Sequence, residues 1–487
     1  MKKINKSINW SRIGICLLLG LTITSCDDFL TEDPKDRVAQ NNYYQTEQDA
    51  IAAVNSIYAY LGSYSTGSTA GIYHSTFWIT TGLASDNMQN NQLGALQNDQ
   101  LATFTYNAEN SNLLEIWQMH YKTISLANIA IERIPNIAMD ETLKNRLVNE
   151  AKFLRGLLYF NLVRMYGKVP LLLTEDGPIT PGVAEVDEIY AQIISDLTDA
   201  EALPPDGQIQ EGRATRGAAK SLLAKVYLTV EDYEKASTKA LEVIESGNYM
   251  LWENFADVFK LSSRGGKEAI FSVGFGDAGG AISFWEVGQF NVRLLPAELS
   301  TARASVSNTQ GWQVATQDLY DAFTPDDERR DVTFMTEFLD DNGNTVTLDK
   351  IYIQKYWDSE AEPAANDSEN DFPVIRYADV LLIYAEAQAA LGHFDEANDY
   401  LNMVRNRANL PDVNIDNIAD FKQTVLLERR KEFVAEGQRW FDLVRTGELQ
   451  EKVQEAKGIN VAPFYSLFPV PQRERLANPN LPQNTGY

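Results

Sequence analysis

The longest stretch of the chain without a basic residue carries the side chains best suited to binding a small polar ligand. No Lys or Arg occurs between Val38 and Tyr121, and the single formal charge within Gly62–Gln92, which we predict to be a loop, is Asp86. The stretch is instead rich in aromatic rings, carboxamides and hydroxyls. A flat ring offers an apolar face to the C–H groups of a sugar, while Asn and Asp satisfy its hydroxyls. These residue types indicate a site for a neutral, hydroxyl-rich ligand.

A second segment, Ser262–Gln310, has the same character in an otherwise acidic chain. Four basic and four acidic residues cancel there, and aromatic residues occur at Phe284-Trp285 and just beyond the segment at Trp312. We expect the two segments to form opposite walls of one cleft. A tryptophan under a loop can equally pack in the core, and a tyrosine can cover it, but the Thr, Ser, Gly and Asn neighbours of Trp78 favour exposure. The predicted ligand-binding residues are Tyr73, Trp78, Asp86, Asn87, Asn90, Trp285, Gln289 and Arg293.

Other chemistries have little support in the sequence. The two cysteines lie near the start and the three histidines are far apart, so we expect no disulfide framework, no metal site and no cofactor. A glycosidase needs two carboxyl groups about 5–10 Å apart across a cleft, whereas the aromatic segments supply only isolated acids such as Asp86 and Glu286. A formal charge of −26, from 42 Lys and Arg against 68 Asp and Glu, argues against a nucleic-acid partner. We predict binding without catalysis.

The elements that must position these residues are mostly helices. Apolar residues recur with a 3.6-residue period along much of the chain, and Gly, Asn and Pro mark the ends of the periodic segments. The predicted helices are Thr46–Leu61, Leu113–Arg133, Leu143–Tyr166, Val186–Leu203, Thr215–Val230, Tyr233–Ser246, Val374–Leu391, Phe394–Arg407 and Ile418–Glu436.

Two pairs of these helices have the spacing of a tetratricopeptide repeat. Ala224 and Ala236 lie twelve residues apart in the first pair, and Ala385 and Ala397 repeat that spacing in the second. Small side chains at these positions let two antiparallel helices approach closely. Ordinary helical-hairpin packing would explain either pair alone. Both together favour a mainly α fold of tetratricopeptide-like helix pairs, an α–α superhelix.

A segment of different composition separates the two pairs, which are 161 residues apart. It contains many glycines and short β runs at Ala269–Phe275 and Val346–Gln354, and Asp341–Asn344 has the residues of a hairpin turn. A calcium loop is the alternative for these acids, but the glycine is misplaced for an EF-hand. We therefore predict a single body over 41–487. It consists of a helical framework (about 41–248 and 374–447), a large irregular loop and short-β insert (about 249–373) and an extended C-terminal segment (448–487).

The first residues predict an exported lipoprotein. Ile13–Ile23 is an apolar core after a basic start, and it is too short to span a bilayer, which takes about 20 apolar residues. The following Thr24-Ser25-Cys26 resembles a bacterial lipobox, in which Cys26 receives lipid; a plain secretory signal is the alternative. We expect residues 1–25 to be a signal peptide and residues 26–40 a lipidated tether. The acidic Asp27-Asp28 resembles a tag for the outer face of an outer membrane.

Several segments, in a fixed order along the chain, carry a resemblance to a known family. They are Cys26–Pro34, Glu150–Asn161, Tyr166–Pro170, Gly212–Lys220, Arg376–Ala387, Asn402–Ala408, Glu428–Gly447 and Gln483–Tyr487. Together they resemble the SusD-like (RagB) family of outer-membrane nutrient-binding lipoproteins. The resemblance implies a surface lipoprotein with tetratricopeptide-like helices that captures glycan, commonly oligosaccharide, through aromatic residues on non-helical loops. It also implies a partner, a SusC-like TonB-dependent transporter, over which the protein acts as a lid.

The segments that carry the resemblance are mainly helical, so they do not identify ligand-binding residues. We expect Arg429, Arg430, Glu432 and Trp440 to hold the last helices together through buried ion pairs and aromatic packing. Two other functions remain open: a scaffold that grips the transporter without binding sugar, and a glycoside hydrolase. The sequence does not specify monosaccharide, linkage or chain length, and a peptide ligand also remains open.

Overall fold

The helices of the computed structural model follow the predicted amphipathic segments closely. The structure describes residues 43–62, 71–207, 212–275, 288–306, 308–358 and 370–487; the predicted signal peptide, Cys26, the tether over 26–40 and Trp285 lie outside them. Single turns of 3₁₀ helix lie at Ile134–Asn136, Phe255–Val258, Leu261–Ser263 and Pro463–Ser466. The α-helices are α1 (Glu47–Gly62), α2 (Thr76–Leu83), α3 (Leu96–Ala102), α4 (Ser111–Arg133), α5 (Glu141–Tyr166), α6 (Val186–Ala200), α7 (Arg216–Thr229), α8 (Tyr233–Ile244), α9 (Phe290–Leu294), α10 (Ala297–Ala302), α11 (Gln317–Asp321), α12 (Arg329–Thr333), α13 (Tyr377–Ala390), α14 (Phe394–Arg407), α15 (Ile418–Glu432), α16 (Arg439–Thr446), α17 (Leu449–Lys457) and α18 (Gln472–Ala477).

The two tetratricopeptide-like pairs are α7 with α8 and α13 with α14. Ala224, Ala236, Ala385 and Ala397 have no exposed surface, because the helices of each pair approach closely at these positions. The pairs also contact each other, since α13 packs against α8. Two units far apart in the chain therefore adjoin in space, and the insert leaves the superhelix between them and returns to it.

The N-terminal helices continue the same stacking. Helix α1 packs on α4 and α5, α5 packs on α6, and α6 packs on α7. Each of these helices buries an apolar face against its neighbours. No helix in the described ranges combines the length and apolar composition needed to cross a bilayer. The mainly α fold class is confirmed.

The insert supplies most of the short strands, which pair as three two-stranded antiparallel sheets within the described residues. Strand β1 pairs with β3, β2 with β6, and β4 with β5. The last pair confirms the hairpin predicted around Asp341–Asn344, and Gly343 adopts the positive φ of +79° that its turn requires. The strands are β1 (Met88–Asn90), β2 (Ala269–Val273), β3 (Gln313–Ala315), β4 (Phe334–Leu339), β5 (Thr345–Ile353) and β6 (Phe372–Arg376).

Two predicted boundaries are wrong because tertiary packing overrides local preference. The predicted loop Gly62–Gln92 contains helix α2, whose residues Phe77–Leu83 are all buried. Val374–Arg376, predicted as the start of a helix, instead forms part of β6, where β-branched side chains pair with β2. In both places burial against a distant segment decides the conformation.

The sequence suggested an extended C-terminal segment over 448–487, but the structure is not extended throughout. It contains α17 and α18. Gly447 and Gly458 adopt φ values of +74° and +70° and bound α17 at its two ends. Leu449 and Val453, four residues apart, bury one face of the short helix. The segment therefore extends the helical framework.

A buried ion-pair network fastens the insert to the last helices. Glu432 accepts hydrogen bonds from Arg376 Nη1 at 2.9 Å and from Arg329 Nη1 at 3.1 Å, and all three side chains are inaccessible to solvent or nearly so. Arg429 bonds to two buried aspartates at 2.8 and 2.9 Å, and Trp440 has no exposed surface. The predicted structural role of Arg429, Glu432 and Trp440 is confirmed.

Candidate functional site

The first near-neutral segment pairs through β1 with β3, the strand that follows the second segment. Asn90 lies opposite Gln313, and Asn91, the next residue, donates its backbone N–H to the Trp312 carbonyl at 2.7 Å. Asn91 Nδ2 also donates to the Gly311 carbonyl at 2.8 Å. This pairing fixes the turn that carries Trp312, and opposite walls of one cleft stay a prediction.

Trp312 presents a half-buried aromatic ring at this junction. The guanidinium carbon of Arg293 lies 5.1 Å from the centre of the indole, which is the geometry of a cation–π contact. Arg293 lies near the end of the short helix α9. The Gln310 N–H donates to the Val292 carbonyl at 2.8 Å, and this bond connects α9 to the segment that leads into Trp312. The ring is therefore held in place, with part of its surface open to solvent.

Glu115 on α4 supplies the negative charge near Arg293. Burial raises the pKa of Glu115, while the Thr76 hydroxyl, which donates to Oε1 at 2.9 Å, and the Arg293 cation act in the opposite direction. Burial lowers the pKa of Arg293 to about 10, and Glu115 opposes that fall. Arg293 therefore remains protonated at neutral pH, beside the indole.

Gly311 fixes the direction in which the Trp312 side chain leaves the turn. Its φ is +56°, and a Cβ at this position would lie 2.4 Å from Cε1 of the Tyr352 ring. Tyr352 is itself buried and has little room to move. Any residue with a Cβ would strain the backbone at this positive φ and would collide with the Tyr352 ring, so this turn requires glycine.

Lys350 on β5 closes the junction from another side. Its exposed Nζ donates to Asn91 Oδ1, so Asn91 links the N-terminal segment to both the turn and the β4–β5 hairpin. We refer to Trp312, Arg293, Asn91 and Lys350 as the Trp312 surface. Leu93, two residues after Asn91, is completely exposed.

The Trp312 surface offers binding chemistry. It combines a ring face, a carboxamide and two cationic N–H donors, which suit stacking on a sugar and hydrogen bonding to its hydroxyls. Of the acids nearby, Glu115 faces a cation and a hydroxyl, and Asp99 accepts a hydrogen bond from Asn90 at 2.6 Å. The described part of the chain also contains no group of three His, Cys, Asp or Glu placed to hold a metal ion.

The predicted exposure of Trp78 is wrong. The indole has no exposed surface, stacks on Phe290 with ring centres 5.5 Å apart, and donates Nε1–H to the His74 carbonyl at 3.4 Å. Tyr73 is also buried; its hydroxyl accepts from Asn161 Nδ2 at 2.9 Å, which supports the alternative that it covers the core. These rings hold the two segments together from inside instead of lining an open cleft.

Asp86 and Asn87 are buried in structural contacts. Arg439 donates two hydrogen bonds to the Asp86 carboxylate at 2.9 and 2.8 Å, and Arg430 lies 3.2 Å from it. Burial alone would raise the pKa of Asp86, but the two cations outweigh burial and lower the pKa to about 2. Asn87 Oδ1 accepts from Arg430 Nε at 2.8 Å. In this conformation neither side chain is accessible to a ligand.

The remaining predicted site residues fall into different environments. Arg293 belongs to the Trp312 surface, and Asn90 lies beside it, half-buried, with its Nδ2 donating to Gln92 O at 3.1 Å and to Asp99 Oδ1 at 2.6 Å. Gln289 has no exposed surface. Ligand contact by Arg293 and Asn90 stays a prediction.

Sequence reasoning missed Asn91, Lys350 and Glu115, and named Trp312 only as one aromatic residue among several. Composition could not rank Trp312 above Trp78, because both have small and polar neighbours. The signal that separates them is the Gly311-Trp312 pair, since a glycine before an aromatic residue is compatible with a turn that projects the ring.

Two family models match the chain. Residues 28–228 match a family described as starch-binding and associating with the outer membrane, and residues 323–487 match the SusD family. Among curated proteins, the chain is 28% identical to SusD-like protein P25 of Formosa agariphila, with 98% of this chain and 99% of that protein covered. It is 25% identical to the starch-binding protein SusD of Bacteroides thetaiotaomicron, with 75% and 76% covered.

Solved structures agree with these sequence matches. A SusD superfamily protein from Parabacteroides distasonis is 27% identical, with a TM-score of 0.79 over 90% of this chain and 99% of that one. A laminarin-binding SusD-like protein is 26% identical, with a TM-score of 0.78 over 91% of this chain and all of that one.

Proposed function

Because the chain belongs to the SusD-like (RagB) family, we propose that it captures a glycan at the cell surface, without altering it, and delivers it to a SusC-like TonB-dependent transporter in the outer membrane. The family is a carbohydrate-binding one. The observation that carries the proposal for this chain is the Trp312 surface, where a held indole, a carboxamide and two cations lie together with part of the ring open to solvent.

The ligand stacks on the exposed part of the Trp312 ring and bonds through its hydroxyls to Asn91, Arg293 and Lys350. Asn90, predicted from the sequence, extends the same site, whereas Trp285 lies outside the described residues. A few stacking and hydrogen-bonding contacts on an open surface correspond to a Kd of roughly micromolar to millimolar. A related structure is that of a laminarin-binding protein, so β-glucan chains are the first candidates.

Attachment to the membrane follows from lipid on Cys26, with the binding surface facing the cell exterior. Acyl chains must supply this attachment, because an acidic surface is repelled by anionic headgroups. Replacement of Cys26 by Ala in cells should abolish the incorporation of labelled fatty acid into the protein. Equal labelling of that variant and the unaltered protein would contradict the lipid anchor.

The function is tested by isothermal titration of the mature protein against laminarin, starch, xylan, mannan and pectin, with each glycan afterwards examined for released sugar. Trp312→Ala should weaken binding of the preferred glycan at least about ten-fold, or ~1.4 kcal/mol. Tyr233→Ala, at a half-buried ring on the helical framework, is the matched control and should leave affinity unchanged.

Three results would contradict the proposal. Unchanged affinity in Trp312→Ala would refute the Trp312 surface as the binding site. Release of sugar by the purified protein would favour a hydrolase. Absence of binding to every glycan, together with co-purification of an outer-membrane barrel, would favour the scaffold function.

A further inference from the structure

A second concave region lies between α1 and β2, and it shares no residue with the Trp312 surface. Two adjoining cavities of about 770 and 360 Å³ form it, and β2 residues line both. Helix α1 contributes Asn55, Tyr58 and Ala59 to one wall. Each cavity lies within the volume range of small-ligand sites, about 300–1,000 Å³, and the two together slightly exceed it. We refer to it as the α1–β2 cleft.

An unsatisfied carboxylate oxygen lies in this cleft. Asp206 Oδ1 is buried and has no hydrogen-bond partner among the described residues. Burial raises the pKa of Asp206, and the hydrogen bonds that the Thr215 and Tyr249 hydroxyls make to the carboxylate oppose this rise only in part. A buried oxygen without a hydrogen-bond partner is unfavourable, and a ligand hydroxyl that donates to Oδ1 would satisfy it.

Aromatic and amide groups accompany this acceptor. The Tyr58 ring is half-buried and held in place, because its hydroxyl accepts from Ala214 N–H at 3.0 Å and the Arg213 guanidinium lies 5.4 Å from the ring centre. Asn55 and Asn248 are exposed at the cleft. A fixed ring with carboxamides and hydroxyls around it suits a ligand with apolar C–H faces and many hydroxyls.

The charges of the cleft cancel, which favours an uncharged ligand. Arg213 pairs with Glu150 at 2.5 Å, and Arg264 pairs with Asp371 at 2.8 Å. The remaining lining charges are Lys267 and Asp206, one of each sign. A uronate or a sulfate ester would therefore meet no excess of cations here.

We infer that the α1–β2 cleft is a second saccharide-binding site for a neutral glycan, separate from the Trp312 surface. The inference rests on the proposed function, because it assigns the same class of ligand to a second place on the chain. Two weak sites that engage one polymer raise its apparent affinity through effective concentration, whereas a short oligosaccharide occupies them independently.

The test blocks each site separately. Ala59→Arg places a long side chain into the cleft from an exposed position on α1, and Ala52→Arg, also exposed on α1 but outside the cleft lining, is the matched control. Asp206→Leu removes both carboxylate oxygens with little change in side-chain size. Circular dichroism and thermal unfolding check that α1 and the fold are retained. The probe is the polysaccharide of the titration panel that the unaltered protein binds most tightly, with its hexasaccharide.

The expected results separate the two sites. Ala59→Arg and Asp206→Leu should each weaken polysaccharide binding about ten-fold, and Ala52→Arg should not. Trp312→Ala should retain measurable binding, which the Trp312→Ala, Ala59→Arg double variant should lose.

Other results overturn the inference. Loss of all binding in Trp312→Ala alone, with Ala59→Arg unchanged, would remove the second site and leave the proposed function intact. Weakening by Ala52→Arg equal to that by Ala59→Arg would also refute a specific site. Absence of glycan binding by the unaltered protein would refute both proposals together.

Discussion

Substitution of Asp86 distinguishes most clearly between a ligand-binding role and a structural role of that residue. The sequence places it as the single charge in an uncharged aromatic stretch, which suggested a ligand-binding acid. The structure buries it completely between Arg439 and Arg430. We therefore expect Asp86→Asn to act on stability and not directly on glycan affinity.

The magnitude follows from the contacts. Removing one partner of a buried ion pair costs about 3–5 kcal/mol, because the other charge stays buried without compensation. For a chain of this size, whose unfolding entropy is roughly 1 kcal/mol/K, that cost corresponds to a fall in Tm of about 3–5 °C. Asp412→Asn, at an exposed position, is the matched control and should leave Tm unchanged.

The pH dependence gives an independent readout. The pKa of Asp86 is lowered from 3.8 to about 2, so its charged form stabilises the fold above pH 3.8, and this contribution is lost as pH falls towards 2. The lowered pKa corresponds to about 2 kcal/mol. The difference in free energy of unfolding between the unaltered protein and Asp86→Asn should therefore shrink over that window.

The assay is chemical unfolding followed by circular dichroism at pH 7 and between pH 2 and 4, with glycan titration at pH 7. Unchanged stability of Asp86→Asn together with loss of glycan binding would refute the structural assignment.

Three further results are expected. Trp78→Ala should destabilise the fold by about 3–5 kcal/mol, because its indole fills the core, and the folded fraction should still bind glycan; loss of binding without loss of stability would contradict this. Gly311→Ala should weaken glycan binding by displacing Trp312, whereas Gly343→Ala, at a similar positive φ with open space around it, should not; equal titration curves for Gly311→Ala and the unaltered protein would argue against the turn as the positioning element. Burial lowers the pKa of His120 to about 4, so the unfolded chain takes up a proton first as the solution is acidified. The free energy of unfolding should therefore fall by about 3 kcal/mol from pH 6.5 to 4, and His120→Gln should remove that part of the slope, as denaturant unfolding at several pH values will show.

The sequence by itself determined the helical framework. The 3.6-residue period and the alanine spacing of the two helix pairs are local properties, and they predicted α7, α8, α13 and α14 to within a few residues at most helix ends. Composition also suggested the class of ligand, since one long segment carries a single formal charge and the charges of the other cancel. These inferences depend on residues close together in the chain, where spacing and chemistry can be read directly.

Only the tertiary structure decided which aromatic residues are accessible. Thr76–Leu83 contains no charged residue and its threonines are interspersed with apolar residues, so no clear periodicity distinguishes a loop from a buried helix. The ring that stacks on Trp78 belongs to Phe290, in a distant part of the chain. Asp86 likewise receives its cation from Arg439, near the other end of the chain. Trp312 gains its place through the pairing of β1 with β3. Burial is a property of contacts between distant segments, and for that reason composition suggested a ligand chemistry but could not separate accessible aromatic residues from buried ones.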